Sequence, residues 1–164
     1  RVQLREYFSE SFLRTAGSFT EDLSVQREWE IAEQCGASAV YALGEGGILA
    51  GLWKMAEAGE TGLDIRLRDI PVRQETVEIC ERLDLNPYQL DAGGSLLIGT
   101  DRGAELVQIL CEAGIPAVII GRSVKRNGRI LHNQEHVRYL DRPRRDEKYK
   151  LTDRAEEGER IWQS

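Results

Sequence analysis

The stretch Gly44-Glu45-Gly46-Gly47, preceded by the apolar run Ala37–Leu43 and followed by Ile48–Ala58, decides how this chain is read. Ala37 to Leu43 is short and apolar, as a strand or an extended lead-in is. Beyond the glycines, Ile48, Leu52 and Met55 share one helical face with Leu49, Trp53 and Ala56 beside it, so the spacing predicts a well-buried helix. A glycine turn placed between an extended segment and a helix has two uses. It lets the backbone reverse tightly. It also lets a phosphate or carboxylate approach the unpaired N–H groups at the positive end of the helix dipole. The pattern is neither a Walker A sequence nor GxGxxG. Taken alone, it serves equally well as a tight turn for close helix–sheet packing. Glu45 is either a carboxylate favoured at a helix start or a group at the rim of a ligand cleft.

Working upstream, residues 2 to 34 read as helical, with a break at Gly17-Ser18. Ser18 or Thr20, followed by Glu21 and Asp22, makes a helix start, and Cys35-Gly36 ends the region. Downstream, Leu63-Asp64-Ile65-Arg66-Leu67 alternates strictly and predicts a half-buried strand. Arg73 to Leu83 is a helix after the Ile70-Pro71 turn, and Ser95–Gly99 is a short strand after Gly93-Gly94. Asp101 is placed to cap a helix through Ala113 that Gly114 ends. Ala117–Gly121 is apolar at every position and predicts a central strand. Asn127-Gly128 predicts a hairpin between a strand ending near Val124 and one over Arg129–Leu131. Val137–Leu140 adds a last short strand.

Helices alternating with strands, and a hairpin at the end, predict an α+β domain: three layers, α/β/α, around a mixed, mainly antiparallel sheet. Residues 1–36 form a helical segment packing on the domain, 37–141 the core, and 142–164 a charged tail with room for one exposed helix. Between Arg138 and Arg160, eight positive and seven negative residues intermingle, which argues against a nucleic-acid arm.

The chain has 164 residues, enough for one domain with its own core, and a formal net charge of −6 gives no overall basic balance for nucleic acid or an anionic membrane. No apolar run approaches the roughly 20 residues of a membrane span. Cys35, Cys80 and Cys111 are odd in number and lack ligand spacing, so neither a disulfide framework nor a metal site is expected; they read as buried or half-buried thiols in the cytoplasm. His132 and His136 have no ligand cluster around them and read as exposed imidazoles. Arg73 can meet a phosphate but more simply makes a surface ion pair. The chain opens on Arg1 rather than Met and is read as a piece of a longer polypeptide.

The run Glu45-Gly46-Gly47-Ile48 with Leu52–Ala58 resembles the start of the C-terminal domain of the AIR synthase family. That family includes aminoimidazole ribonucleotide synthetase, selenophosphate synthetase, thiamine-monophosphate kinase and the hydrogenase-maturation dehydratase. Gly62–Ile65 resembles its first sheet strand. Ile70-Pro71-Val72 with Glu75–Cys80, then Leu85-Asn86-Pro87, Gly94–Ile98 and Ala117–Gly121, resemble the hydrogenase-maturation branch in order. The likeness spans about residues 38 to 140. It implies a nucleotide cleft bordered by Gly44, Glu45, Gly46 and Gly47. The N-terminal domain of the same chain would carry most of the ATP and Mg ligands and form a homodimer. This chain alone is then not a complete enzyme, and neither ATP nor Mg is expected to bind it tightly.

Three departures qualify the likeness. Active relatives place a His-Asp or Arg-Asp pair and a Thr before the two glycines, where Tyr41, Ala42 and Gly44 stand here. The hydrogenase-maturation relatives carry a Glu at the place of Gly93, and a Pro-Arg-Ile-Cys tail where this chain reads Ile161-Trp162-Gln163-Ser164. The dehydration carried by that cysteine is therefore not expected, and a degenerate binding or regulatory domain is the alternative.

Overall fold

The computed structural model describes residues 4–20, 23–125 and 128–161. Among the described residues six α-helices and six strands follow one another: α1 (Glu10–Gly17), α2 (Gln26–Gln34), β1 (Ala39–Ala42), α3 (Gly47–Ala58), β2 (Gly62–Arg66), α4 (Gln74–Leu83), β3 (Leu96–Gly99), α5 (Gly103–Glu112), β4 (Gly121–Val124), β5 (Arg129–Asn133), β6 (His136–Tyr139) and α6 (Tyr149–Ile161). The α+β expectation holds, and the pairings are mixed and mainly antiparallel. β1 and β3 form an antiparallel pair, while β4, β2, β5 and β6 lie in that order in a second sheet. Only the β2–β5 pairing among these is parallel.

The core forms where α3 lies against both sheets. Leu49, Leu52 and Ala56 of α3 meet Leu63 and Ile65 of β2, Leu97 of β3 and Leu131 of β5, with Tyr41 and Met55 packed around them. Because α3 is apolar almost all round, it buries Gly47, Leu49, Ala50, Gly51, Leu52 and Ala56 together. The alternation in β2 works as predicted. Leu63 and Ile65 face the core and are buried, while Asp64 turns to the opposite face of the sheet.

Two readings are corrected. Ala117–Ile120 is not a strand, and the strand that follows, β4, is an edge and not a centre. Val118 and Ile119 are 52% and 47% exposed. Apolar composition reports burial only where a neighbour exists on each side, and β4 has only β2. The pairing begins at Gly121 because the backbones come close there: a Cβ at Gly121 would collide with the carbonyl of Asp64 and the Cα of Ile65. The second correction concerns the hairpin. Asn127 lies outside the described residues, but the strands on its two sides are not partners, because β2 is inserted between β4 and β5. Gly128 accepts from Leu63 N–H at 2.9 Å instead. The hairpin is β5–β6, closed by Gln134-Glu135 with Gln134 in the left-handed region (φ 57°).

Helix starts also differ. α2 begins after Val25, well past Ser18, while Glu21 and Asp22 lie outside the described residues. α5 begins after Arg102, whose N–H is held by the Thr100 hydroxyl at 3.1 Å, so Asp101 caps nothing. Among the described residues Arg73 makes no ion pair; its guanidinium lies 4.1 Å from the Phe19 ring centroid. Of the cysteines, Cys80 is buried and Cys35 half-buried as expected, but Cys111 is exposed. Among the described residues no helix is long and apolar enough to cross a membrane.

Candidate functional site

The glycine turn stands at the head of α3, as the sequence indicates, and each of its residues has a distinct task. Gly46 takes a left-handed conformation (φ 83°) as the residue preceding the helix. Gly47 is left-handed as well (φ 63°), and a Cβ there would strike the backbone carbonyls of Leu90 and Tyr88, the latter at 2.6 Å. Both positions therefore require glycine for conformation and for space, since a Cβ at Gly46 would lie 2.7 Å from the Ala50 Cβ. The Gly47 N–H closes the turn on the Gly44 carbonyl at 3.0 Å, and the same carbonyl accepts from Ala92 N–H at 3.2 Å. The turn is thus fastened to the loop 88–95. Leu43 N–H, bonded to the Ser95 carbonyl at 2.9 Å, continues the β1–β3 ladder into that junction. Ala42, Gly44 and Gly93, the positions where the expected side chains are absent, gather at this one end of the short sheet.

One donor of the turn is directed at an anion. Gly46 N–H donates to Asp146 Oδ2 at 2.7 Å, and Asp146 is only 5% exposed. Its other oxygen accepts from Lys148 N–H at 2.9 Å. The carboxylate thus sits where the helix dipole favours negative charge. Glu45 is not simply a helix-start carboxylate. Its Oε1 accepts from the Tyr149 hydroxyl at 2.8 Å and pairs with Lys148 Nζ at 2.7 Å. Lys148 Nζ also reaches Asp91 Oδ2 at 3.0 Å. The Lys148 hydrogen bond, then that of Tyr149, holds the Glu45 carboxyl below its ordinary range. The Lys148 hydrogen bond does the same for Asp91 against a smaller opposing effect of burial. In turn Glu45, then Asp91, raises the Lys148 ammonium well above the usual lysine value, and Glu45 raises the Tyr149 phenol.

Asp91, Asp146, Lys148 and Tyr149 were not legible as site residues. The last three belong to the mixed-charge run after Arg138, where alternating signs read as a solvated face. That segment is not wholly solvated, since Asp146 and Glu147 are both buried. Glu147 Oε2 accepts from Asn86 N–H at 3.1 Å, and its own N–H donates to the Gln89 carbonyl at 3.3 Å.

The two histidines lie elsewhere. His132 Nε2 is 2.8 Å from Asp64 Oδ1 and Arg122 Nη2 is 3.3 Å from Asp64 Oδ2, on the sheet face away from α3. This trio ties β4, β2 and β5 together across the strands. His136 is exposed on β6. Among the described residues no group of three or more His, Cys, Asp or Glu side chains is arranged to hold a metal ion.

The family model described as AIR synthase related protein, C-terminal domain, matches residues 22–133. The chain belongs to that family. Escherichia coli HypE, a hydrogenase maturation protein, superimposes on this AIR synthase-related domain with a TM-score of 0.67 at 25% identity, over 75% of this chain and 41% of that one. A HypE crystallised in complex with ATP shares the fold at a TM-score of 0.59 and 19% identity, over 66% of this chain and 36% of that one. Phosphoribosylformylglycinamidine synthase subunit PurL of Methanothermobacter marburgensis is 26% identical over 130 residues, which are 76% of this chain but 17% of PurL. The AIR synthase-related domain thus spans less than half the length of these relatives, and the likeness to HypE agrees with the three-layer α/β/α expectation.

Proposed function

We propose that this AIR synthase-related domain completes a phosphate-binding cleft for ATP together with an N-terminal domain of the same chain. The single observation that carries the reading is the bond from Gly46 N–H to a buried carboxylate. A turn that holds one anionic oxygen at the head of a helix is chemically suited to another. Gly46 offers the backbone donor, Gly44 and Gly47 give the turn its shape, and Glu45 stands at the rim. A HypE of the same fold is known as an ATP complex, which supports nucleotide as the ligand class. The cation position between Glu45 and Asp91 is taken by Lys148 Nζ, so Mg accompanying the nucleotide rests on ligands of the N-terminal domain. The homodimer belongs to that domain too, and sedimentation of the full-length protein tests it.

Isothermal calorimetry with ATP and Mg is the direct test. The full-length protein binds, and this domain by itself does not reach micromolar affinity. No binding by the full-length protein ends the cleft reading. Micromolar binding by the isolated domain shows that the N-terminal half is not needed.

A second reading, a degenerate domain kept for binding or regulation, is favoured by Ala42 and Gly44, which stand where active relatives carry Asp and Thr. Replacing them, Ala42→Asp with Gly44→Thr, in the full-length protein decides between the two. Gained ATP turnover marks a lost active site. Unchanged turnover in a protein that already hydrolyses ATP removes the degenerate reading.

A further inference from the structure

We propose that the segment from Asp141 to Arg154 is an intramolecular strap that occupies the glycine turn in place of an anionic ligand, so that phosphate binding and strap closure exclude each other. This inference rests on the reading of the turn as a phosphate site.

The strap leaves the sheet at Leu140, which is buried in the core with its N–H on the Arg129 carbonyl at 2.8 Å. It then crosses to the head of α3 and presents two opposite charges to two opposite needs. Asp146 places a carboxylate on Gly46 N–H at 2.7 Å. Two residues later, Lys148 places an ammonium between Glu45 and Asp91, at 2.7 and 3.0 Å. An anion for the backbone donor and a cation for the paired carboxylates are the charges that a metal-bearing phosphate would bring. Glu147, on Asn86 N–H at 3.1 Å, and Arg154, on the Leu83 carbonyl at 2.6 Å, fasten the strap beyond the turn.

Two physical facts make the arrangement exclusive. The Gly46 N–H is a single donor, and a phosphate oxygen cannot share it with a carboxylate without two anions in contact. The space left beneath the strap, lined by Gly46, Leu49, Ala50, Leu131 and Leu140, is a cavity of about 30 Å³, enough for one water. Phosphate therefore enters only when Asp146 leaves. The strap's ion pairs to the domain, Lys148 with Glu45 and Asp91 and Arg154 with Asp84, are exposed, the kind of contact that contributes little each and releases readily. The strap is thus held by these weak ties around two buried carboxylates, Asp146 and Glu147, each accepting from a backbone N–H.

A bistable closure of this sort lowers apparent affinity by the fraction of molecules that are open. If about one molecule in ten is open, removing the strap's charges tightens binding roughly tenfold.

The experiment compares wild-type full-length protein with Asp146→Ala and, separately, Lys148→Met, using ATP with Mg in one arm and inorganic phosphate in the other. The Lys148 variant loosens the strap without emptying a buried position, and remains informative if Asp146→Ala does not fold. Circular dichroism and a thermal melt establish folding. The expected result is tighter binding by either variant, together with faster tryptic cleavage of the wild type at Lys148 and Lys150 when ATP saturates it. A gain in both arms marks any phosphate as the competitor, and a gain with ATP only marks the nucleotide. Folded variants that bind as the wild type does, with cleavage unchanged by ligand, overturn the strap and leave the phosphate site standing. Absence of binding in the wild type and both variants overturns the phosphate site and the strap with it.

Discussion

Replacing Gly47 by alanine tests the architecture of the turn more sharply than any other single change. The left-handed region, where Gly47 sits at φ 63°, costs an L-residue about 1–2 kcal/mol. The new Cβ would also press on the carbonyls of Leu90 and Tyr88, which are backbone and cannot swing aside. Overpacking of this kind costs a further 1–3 kcal/mol or so. About 3 kcal/mol in total is expected, the two effects being partly relieved by one common shift of the loop. For a chain of 164 residues, each kcal/mol moves the melting temperature by about 2–4 °C, so a fall of about 6–12 °C follows. With a urea dependence of about 2 kcal/mol/M, the unfolding midpoint drops by about 1.5 M. Gly44→Ala is the internal control. Nothing lies within 4 Å of a Cβ there and its φ is not left-handed, so its effect stays within about 0.5 kcal/mol. Equal melting of Gly47→Ala and wild type would refute the claim that loop 88–92 is clamped against the turn.

Three further outcomes are expected. Leu131→Ala, at a position 1% exposed between α3 and the sheet, costs about 2–5 kcal/mol in urea unfolding. With a thiol reagent under native conditions Cys111 reacts first; Cys80, buried and with its thiol raised by that burial, reacts only on unfolding. Acid loosens the strap. The carboxyls of Glu45 and Asp91 are depressed in the folded state, so their contribution is complete above their ordinary values near pH 4 and is lost as pH falls through the depressed ones. The raised Lys148 contributes below the ordinary lysine value near pH 10.4, and its share is lost only as pH rises through the raised one. The difference in melting temperature between wild type and Lys148→Met is therefore level from about pH 5 to 10 and shrinks below about pH 4. A difference that persists undiminished at pH 2.5 would contradict this.

What could be read in advance followed from local chemistry. Glycines between an apolar run and an apolar helix must form a turn at a helix head, and β2 shows its faces by alternation. Edge and centre could not be told apart in Ala117–Gly121, because composition records apolarity and not the number of neighbours. The hairpin reading at Asn127-Gly128 failed for a related reason: a turn signal says that the chain reverses, not that its two arms pair. Asp146 and Lys148 were hidden most completely. Their partners, Gly46, Glu45 and Asp91, lie far back in the chain, and nothing in a run of mixed charges marks which member will be buried.

The insertion of β2 between β4 and β5 has a consequence for how the molecule comes into being. Leu63 must wait for Arg129 before its parallel edge is closed, and α4, β3, α5 and β4 are all made in the interval. During synthesis β2 can take β4 on one side, but its other edge stays open until β5 emerges. Pairings over such separations form slowly, and an open edge invites other strands. The order of strands thus makes the last quarter of the chain the step on which completion of the sheet depends, and a nascent chain stalled before Arg129 is a template for association with its neighbours.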